Sequence, residues 1–248
     1  MIGLRRAISL AGLERNADLP WSGTPRRALD WALETGAKGV QIDATMNGLR
    51  ARDLDQSARR DLAAVLRRAG AACSGLDLWI PQNHFADAAN QGRAVDAVHD
   101  ACGLAADLRR LGVIEGVPSI SISTLAETPA GVIDRLALTA EHLGVRIADH
   151  RWPNAPAHPI GVGIDPAAIL MAGGEPSSVV TKLREPPASA RLSDASAIGR
   201  CVPGRGRLKL DEYDVALTIV GYAGWLIADL RGIPNQADAA AELMGGTG

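Results

Sequence analysis

Eight short, β-like apolar runs recur along the chain, at residues 7–11, 39–44, 73–79, 118–123, 145–149, 161–165, 190–194 and 225–230. Helical or turn-rich segments separate most of them, and that isolation predicts parallel strands joined by crossovers. The intervening segments carry readable ends. Thr24 followed by Pro25 predicts a capped helix with Leu29, Ala32 and Leu33 on one stripe and Gly36 at its stop. A second helical pattern starts at Ser57, sets Leu62, Val65, Leu66 and Ala69 on one face and ends at Gly70. A third, over 87–111, aligns Ala94, Val98, Ala101, Ala105 and Leu108. Ile133, Leu136, Ala140 and Leu143 make a fourth, closed by Gly144. Around 215–219 the period is less regular, but Asp211 and Glu212 suit a first helical turn, where their charge faces the dipole.

Eight strands in a chain of about 250 residues predict an α/β fold: one (βα)8 TIM barrel spanning 1–248, with an irregular crossover after some strands. A doubly wound sheet uses fewer strands and, when it binds a dinucleotide, a glycine-rich first loop. Leu10-Ala11-Gly12-Leu13 contains no such fingerprint. The sharpest break, 151–159 with Pro153, Pro156 and Pro159, reads as a rim loop because strands resume beyond it.

In a barrel, chemistry gathers where strands end at their C-terminal side. Polar residues stand at most of those ends: Gln41 and Asp43, Asp77, Asp149 and His150, Asp165, Arg191 and Asp194, and Asp229. His150 suits a general base or a neutral metal ligand, or a strand cap beneath the proline-rich loop. Asp165 precedes Pro166 and equally suits a helix N-cap. Asp229 follows an apolar run, where a carboxylate needs a partner or an opening to the mouth. The Arg191 fork suits a ligand's carboxylate or phosphate, and equally a pair with neighbouring aspartates. The candidate catalytic residues are therefore His150, Asp165, Arg191 and Asp229.

Candidate substrate contacts are Asp77, Trp79, His84, Trp152, Asp194 and Arg205. His84 follows the third strand over the mouth. Asp194 also reads as part of a turn, Ser193-Asp194-Ala195-Ser196. Aromatics are only 3% of the chain, yet Trp21, Trp79, Trp152 and Trp225 fall near strand ends or rim loops. Flat faces there suit the C–H surfaces of sugars and cyclic polyols, with ordinary packing as the alternative. Arg205 lies in 202–207, a segment that offers backbone donors and two cations to an anion without the Walker ending. His99 and His142 read as structural or solvent-facing, and His158 belongs to the rim loop.

Composition narrows the function classes. The 248 residues are 47% hydrophobic and carry 26 basic against 28 acidic side chains, for a net charge of −2. Disorder and a broadly basic nucleic-acid surface are not implied. No uncharged apolar run of about 18 residues occurs, so no membrane span is predicted. The three cysteines, Cys73, Cys102 and Cys201, lack CxxC spacing. They suit free thiols in a reducing cytoplasm rather than a zinc knot or redox pair.

Several segments together resemble the xylose-isomerase-like barrel superfamily, which includes sugar-phosphate isomerases and epimerases. They are 75–81 (GLDLWIP), 161–166 (GVGIDP) through 170–173 (LMAG), Ser193-Asp194, 203–206 (PGRG), and 221–225 (GYAGW) through Asp229. The likeness covers nearly the whole chain. It implies a divalent cation, Mn, Mg or Zn, held in the mouth by acidic and histidine ligands. It also implies ketose–aldose isomerisation, keto-sugar epimerisation or dehydration of related polyols. By position, His150 stands where a glutamate is usual and Asp165 keeps an expected acid. Ala168 falls where a histidine is frequent, Arg191 replaces the histidine before the retained Asp194, and Asp229 takes the place of the last-strand glutamate. The implied metal set is His150, Asp165, Asp194 and Asp229. The alternative is no cofactor, with Arg191 in the electrostatic role of the cation.

The leading expectation is a cytoplasmic sugar, keto-sugar or polyol isomerase/epimerase-like enzyme that moves a proton through His150 at the mouth. The alternative is a non-catalytic carbohydrate-binding or regulatory barrel, supported by Ala168 and Arg191. Cleavage of abasic DNA, known among related metal barrels, is disfavoured by the near-neutral charge. The expected partner is a small sugar or polyol, with neither nucleic acid nor membrane; homo-oligomerisation is implied by the resemblance alone.

Overall fold

The computed structural model describes residues 4–154 and 160–245. Pro156, His158 and Pro159 of the expected rim loop lie outside the described residues. Eight strands close a parallel barrel: β1 (Arg6–Ser9), β2 (Gly39–Asp43), β3 (Ala72–Asp77), β4 (Ser119–Ile122), β5 (Arg146–Asp149), β6 (Gly161–Ile164), β7 (Ser189–Leu192) and β10 (Leu226–Ala228). Neighbours run β1-β10-β7-β6-β5-β4-β3-β2, and β2 returns to β1 through Ile8↔Val40 and Ser9↔Gln41. Between β7 and β10 the chain makes an antiparallel hairpin of β8 (Asp194–Ser196) and β9 (Gly199–Cys201). The sequence reading had run the seventh strand on to Asp194; in the structure it stops at Leu192 and Asp194 opens the hairpin. Three-residue strands of mixed polarity leave no alternation to read.

Several helices begin at a residue whose side chain caps them. In α1 (Pro25–Glu34) the Thr24 hydroxyl accepts the Arg27 N–H, and Ala28, Leu29, Trp31 and Ala32 are buried. α2 (Gln56–Arg68) is capped by Asp55 rather than Ser57: Asp55 keeps an extended backbone and accepts the Ala58 N–H at 2.8 Å. Two capping residues two positions apart, Asp55 and Ser57, left the start open, and the earlier one took it. α3 (Ala88–Arg110) and α4 (Ala130–Leu143) follow their strands, and α4 ends on Gly144 at φ +64°, a left-handed conformation that favours glycine. α5 (Pro166–Met171), α6 (Pro176–Thr181), α7 (Leu210–Ile219) and α8 (Gln236–Gly245) complete the ring. Among the described residues no helix is long and apolar enough to cross a membrane.

Side chains such as Ile8, Val40, Ile42, Leu76, Ile120, Ile122 and Ile164 are essentially fully buried. Each contributes about 1.5–3 kcal/mol of burial. The barrel interior is different, because the alternation places polar residues inward. Ser9 Oγ donates to Gln41 Oε1 at 2.8 Å and Gln41 Nε2 donates to Ser121 Oγ at 3.2 Å. Ser121 Oγ then meets Ser189 Oγ at 3.4 Å and His150 Nε2 at 3.1 Å. The Gln41–Ser121 and Ser121–Ser189 pairs join strands that are not neighbours in the sheet, so the polar chain crosses the barrel itself. Trp225 immediately precedes β10, which sets it at the N-terminal end of the barrel, opposite the mouth near which the sequence pattern puts it.

Candidate functional site

Three aspartates from three strand ends enter the mouth: Asp77 from β3, Asp165 after β6 and Asp229 after β10. Each is at most 5% exposed. Three arginines enter with them: Arg191 from β7, Arg200 from β9 and Arg231 two residues beyond Asp229. Arg191 reaches Asp77 at 2.9 Å, Asp165 at 3.1 Å and Asp229 at 3.6 Å. Arg200 holds Asp229 at 3.2 Å and also pairs with Asp165. Arg231 bonds Asp77 at 2.8 Å and Asp229 at 2.7 Å. Three positive and three negative groups therefore alternate in one network, and every aspartate has at least two guanidinium partners. Such pairing is what allows charges to be buried at all.

The protonation states follow. Burial alone would raise the Asp77 carboxyl, but Arg231 and Arg191 outweigh it and hold the group below its usual range. Asp165 experiences the same burial and is lowered further, by Arg200, Arg191 and the Ser193 hydroxyl, which donates to it at 2.7 Å. Asp165 also caps α5 through the Ala168 N–H, so the N-cap reading of Asp165-Pro166 describes its second oxygen.

His150 lies beside this network, 4% exposed. Burial, then the Arg191 charge, lowers its pKa well below 6.5, so the imidazole is neutral. Its Nε2 contacts Ser121 Oγ, and its Nδ1 has no hydrogen-bond partner among the described residues. The ring packs on Gly163: a Cβ there would come within 2.6 Å of the imidazole carbons. Asp149 accepts the Thr124 N–H and hydroxyl at 3.0 and 2.6 Å.

The other candidates are dispersed. Asp194 is fully buried beneath the 202–208 loop. One of its oxygens accepts the N–H groups of Ala195, Arg207 and Leu208, and the other those of Gly204 and Gly206, at 2.7–3.0 Å. Its carboxylate holds the loop in place of a missing sheet partner. Arg205 points away from the mouth into an exposed pair with Glu242 of α8. His84 sits half-buried in a short 3-10 turn before α3. Trp152 is half-buried near Gly174.

Trp79 is 54% exposed at the rim, with the Arg231 guanidinium 5.2 Å from its ring centroid. It lines a cleft of about 420 Å³ over the ends of β1 and β2, together with Gly12, Arg15, Trp21, Asp43 and Asn47. The loop that walls this cleft is pinned by Gln236 of α8. Its side chain donates to Gly12 O and Leu230 O and accepts the Glu14 N–H. Trp21 is a second anchor, bonded to Glu14 O at 2.8 Å and packed on Trp31. Asp43 is buried, and desolvation raises its pKa above 3.8 despite hydrogen bonds from the Thr45 hydroxyl and N–H.

His150, Asp77, Asp165, Arg191 and Asp229 of the sequence candidates thus lie together, joined by Arg200 and Arg231, which were not among them. Arg231 had a signal, since it repeats the two-residue alternation of Asp229. Arg200 had none, because it rides on the unrecognised hairpin.

A divalent cation does not fit this mouth. One oxygen of Asp77, one of Asp165 and both of Asp229 already accept from guanidinium groups, Asp194 is spent on backbone N–H groups, and His150 is turned to Ser121 and Gly163. Among the described residues no group of three His, Cys, Asp or Glu side chains is placed to hold a metal.

No protein-family model matches the sequence, and no curated protein matches it. The fold does match solved structures. A xylose isomerase domain protein from Planctomyces limnophilus superposes with a TM-score of 0.72 at 15% identity, over 98% of this chain and 95% of that one. The IolI protein, solved with a bound zinc atom, gives 0.70 at 16% identity over 98% and 95%. A D-tagatose 3-epimerase-like protein gives 0.67 at 14% over 98% and 96%. The chain thus has the fold of the xylose-isomerase-like, sugar-phosphate isomerase/epimerase-like barrels, with a mouth in which arginines stand among the acids.

Proposed function

We propose that the protein is a metal-independent barrel that binds a sugar- or polyol-sized ligand in the cleft beside Trp79, without turning it over. The observation that carries this reading is the arginine–aspartate network. It leaves neither a free carboxylate for a metal nor an accessible imidazole for proton transfer. Trp79 offers an exposed aromatic face, and Asp43, Thr45 and Asn47 offer polar groups of the kind that fix hydroxyls. Free, widely spaced cysteines support a cytoplasmic setting for it. The test is calorimetric titration of keto-sugars, aldoses and cyclitols, with EDTA and then with Mn²⁺, Mg²⁺ or Zn²⁺, followed by solvent-deuterium exchange on every ligand that binds. Binding that is indifferent to metal, lost in Trp79→Ala and unaccompanied by exchange is the expected result. Exchange that requires added metal would overturn the reading.

A second reading, a metal-free isomerase or epimerase, is favoured by Asp43. This carboxyl lines the same cleft, and its raised pKa suits a group that takes and returns a proton beside a carbonyl. Deuterium incorporation in the presence of EDTA, abolished by Asp43→Asn with ligand binding retained, would establish it in place of the first.

A further inference from the structure

We propose that the opposite, N-terminal end of the barrel is a second ligand site, which takes a small organic anion at Arg146. A cavity of about 440 Å³ opens there, lined among others by Ser74, Ser119, Arg146, Pro186, Ser189 and Trp225. The inward positions nearest that end of β4 and β7 are Ser119 and Ser189, too small to fill the space.

Two polar groups at this cavity are unspent. Arg146 opens β5, directly opposite Ser119 in the sheet register. Its guanidinium has no hydrogen bond or ion pair among the described residues. The neighbouring cation is committed: Arg5 pairs with Glu115 at 2.6 Å and lies over the Trp225 ring at 4.3 Å. That pairing also occupies Glu115, the acidic residue of the lining. The second unspent group is Ser74, 8% exposed, whose Oγ has no hydrogen-bond partner. A buried hydroxyl without a partner costs free energy that a ligand oxygen would recover.

The chemistry of the walls defines the ligand. A carboxylate or phosphate monoester meets the Arg146 fork and the Ser74 and Ser189 hydroxyls, while the Ser119 hydroxyl stays on Ala188 O. Its carbon part meets Trp225, Pro186 and Ile227. Ser189 also belongs to the hydroxyl chain that crosses the barrel through Ser121 to His150. An occupant at this end therefore touches the polar interior that leads to the mouth.

The experiment is titration of the full chain with benzoate and with phenyl phosphate, against neutral benzamide, by calorimetry and tryptophan fluorescence. At least one anion is expected to bind about tenfold or more tightly than benzamide, because a guanidinium–oxyanion pair is lost with the neutral probe. Arg146→Gln, an exposed substitution, is expected to erase that preference while leaving the thermal transition in place. Arg146→Lys is expected to retain part of it, since the charge stays and the fork is lost. Trp225→Phe is expected to abolish the fluorescence change. No preference for either anion in the wild-type chain, or equal anion binding by the folded Arg146→Gln variant, would overturn the proposal.

Discussion

Replacing Arg191 with methionine tests whether the mouth is held by charge balance. The substitution keeps a long apolar stem and removes the guanidinium that bonds Asp77 and Asp165 and lies 3.6 Å from Asp229. Arg200 and Arg231 then face three carboxylates, so one buried negative charge is uncompensated. Breaking a buried pair from one side costs about 3–5 kcal/mol. At about 2–4 °C per kcal/mol for a chain of this length, the transition should fall by roughly 6–20 °C. Chemical denaturation at pH 7 measures the loss directly. Two further variants make it specific. Arg191→Met combined with Asp77→Asn restores a balance of two against two, so the double variant should lose less than the sum of the singles, by about 0.5–3 kcal/mol. The Arg191→Met loss should also shrink as pH falls toward 4, because the carboxylates it leaves unpaired regain a proton more easily than those of the wild type. A loss under about 1 kcal/mol would refute the claim that the network holds the mouth. Strict additivity would refute it as well, since it would make Arg191 an ordinary packing residue.

Other outcomes follow from the same geometry. Asp194→Ala leaves five backbone N–H groups of the 195–208 segment without their acceptor. It should cost about 3–5 kcal/mol and make that segment the first site of proteolysis; resistance equal to wild type would show the loop is held otherwise. His150 should stay neutral below pH 6.5, visible as an imidazole resonance that does not titrate there. Its folded pKa is depressed, so the stability it contributes is full above the unfolded value of about 6.5 and is lost as pH falls toward the folded value. A His150 titration near pH 6.5 would contradict its burial. Asp43→Asn should raise the thermal transition at pH 7 and leave it unchanged near pH 3, because the raised folded pKa makes the ionised carboxyl a burden at neutral pH. Gly163→Ala should cost about 1–3 kcal/mol, since its methyl group would meet the His150 ring; a neutral substitution would show that the imidazole is free to move.

The scaffold was legible because its signals are local. The strands are short apolar runs, and Thr24, Gly144 and the Asp165-Pro166 pair mark helix ends by chemistry that acts within a few residues. The barrel order follows once eight such runs alternate with crossovers. What failed to read is non-local. The hairpin of β8 and β9 is held by Asp194 through backbone N–H groups up to 14 residues away. Arg200, carried on that hairpin, meets Asp165 and Asp229 only after the barrel has closed. Arg191 alone, standing where a histidine is frequent, could be read as one lost ligand beside three retained acids. Arg200 and Arg231 change its meaning. With one arginine, three carboxylates would still leave a net negative pocket that attracts a cation; with three, the pocket is neutral and each carboxylate is already shared between guanidinium groups. Building a metal centre here would therefore take more than a histidine at position 191, because Arg200 and Arg231 would still hold Asp165, Asp229 and Asp77.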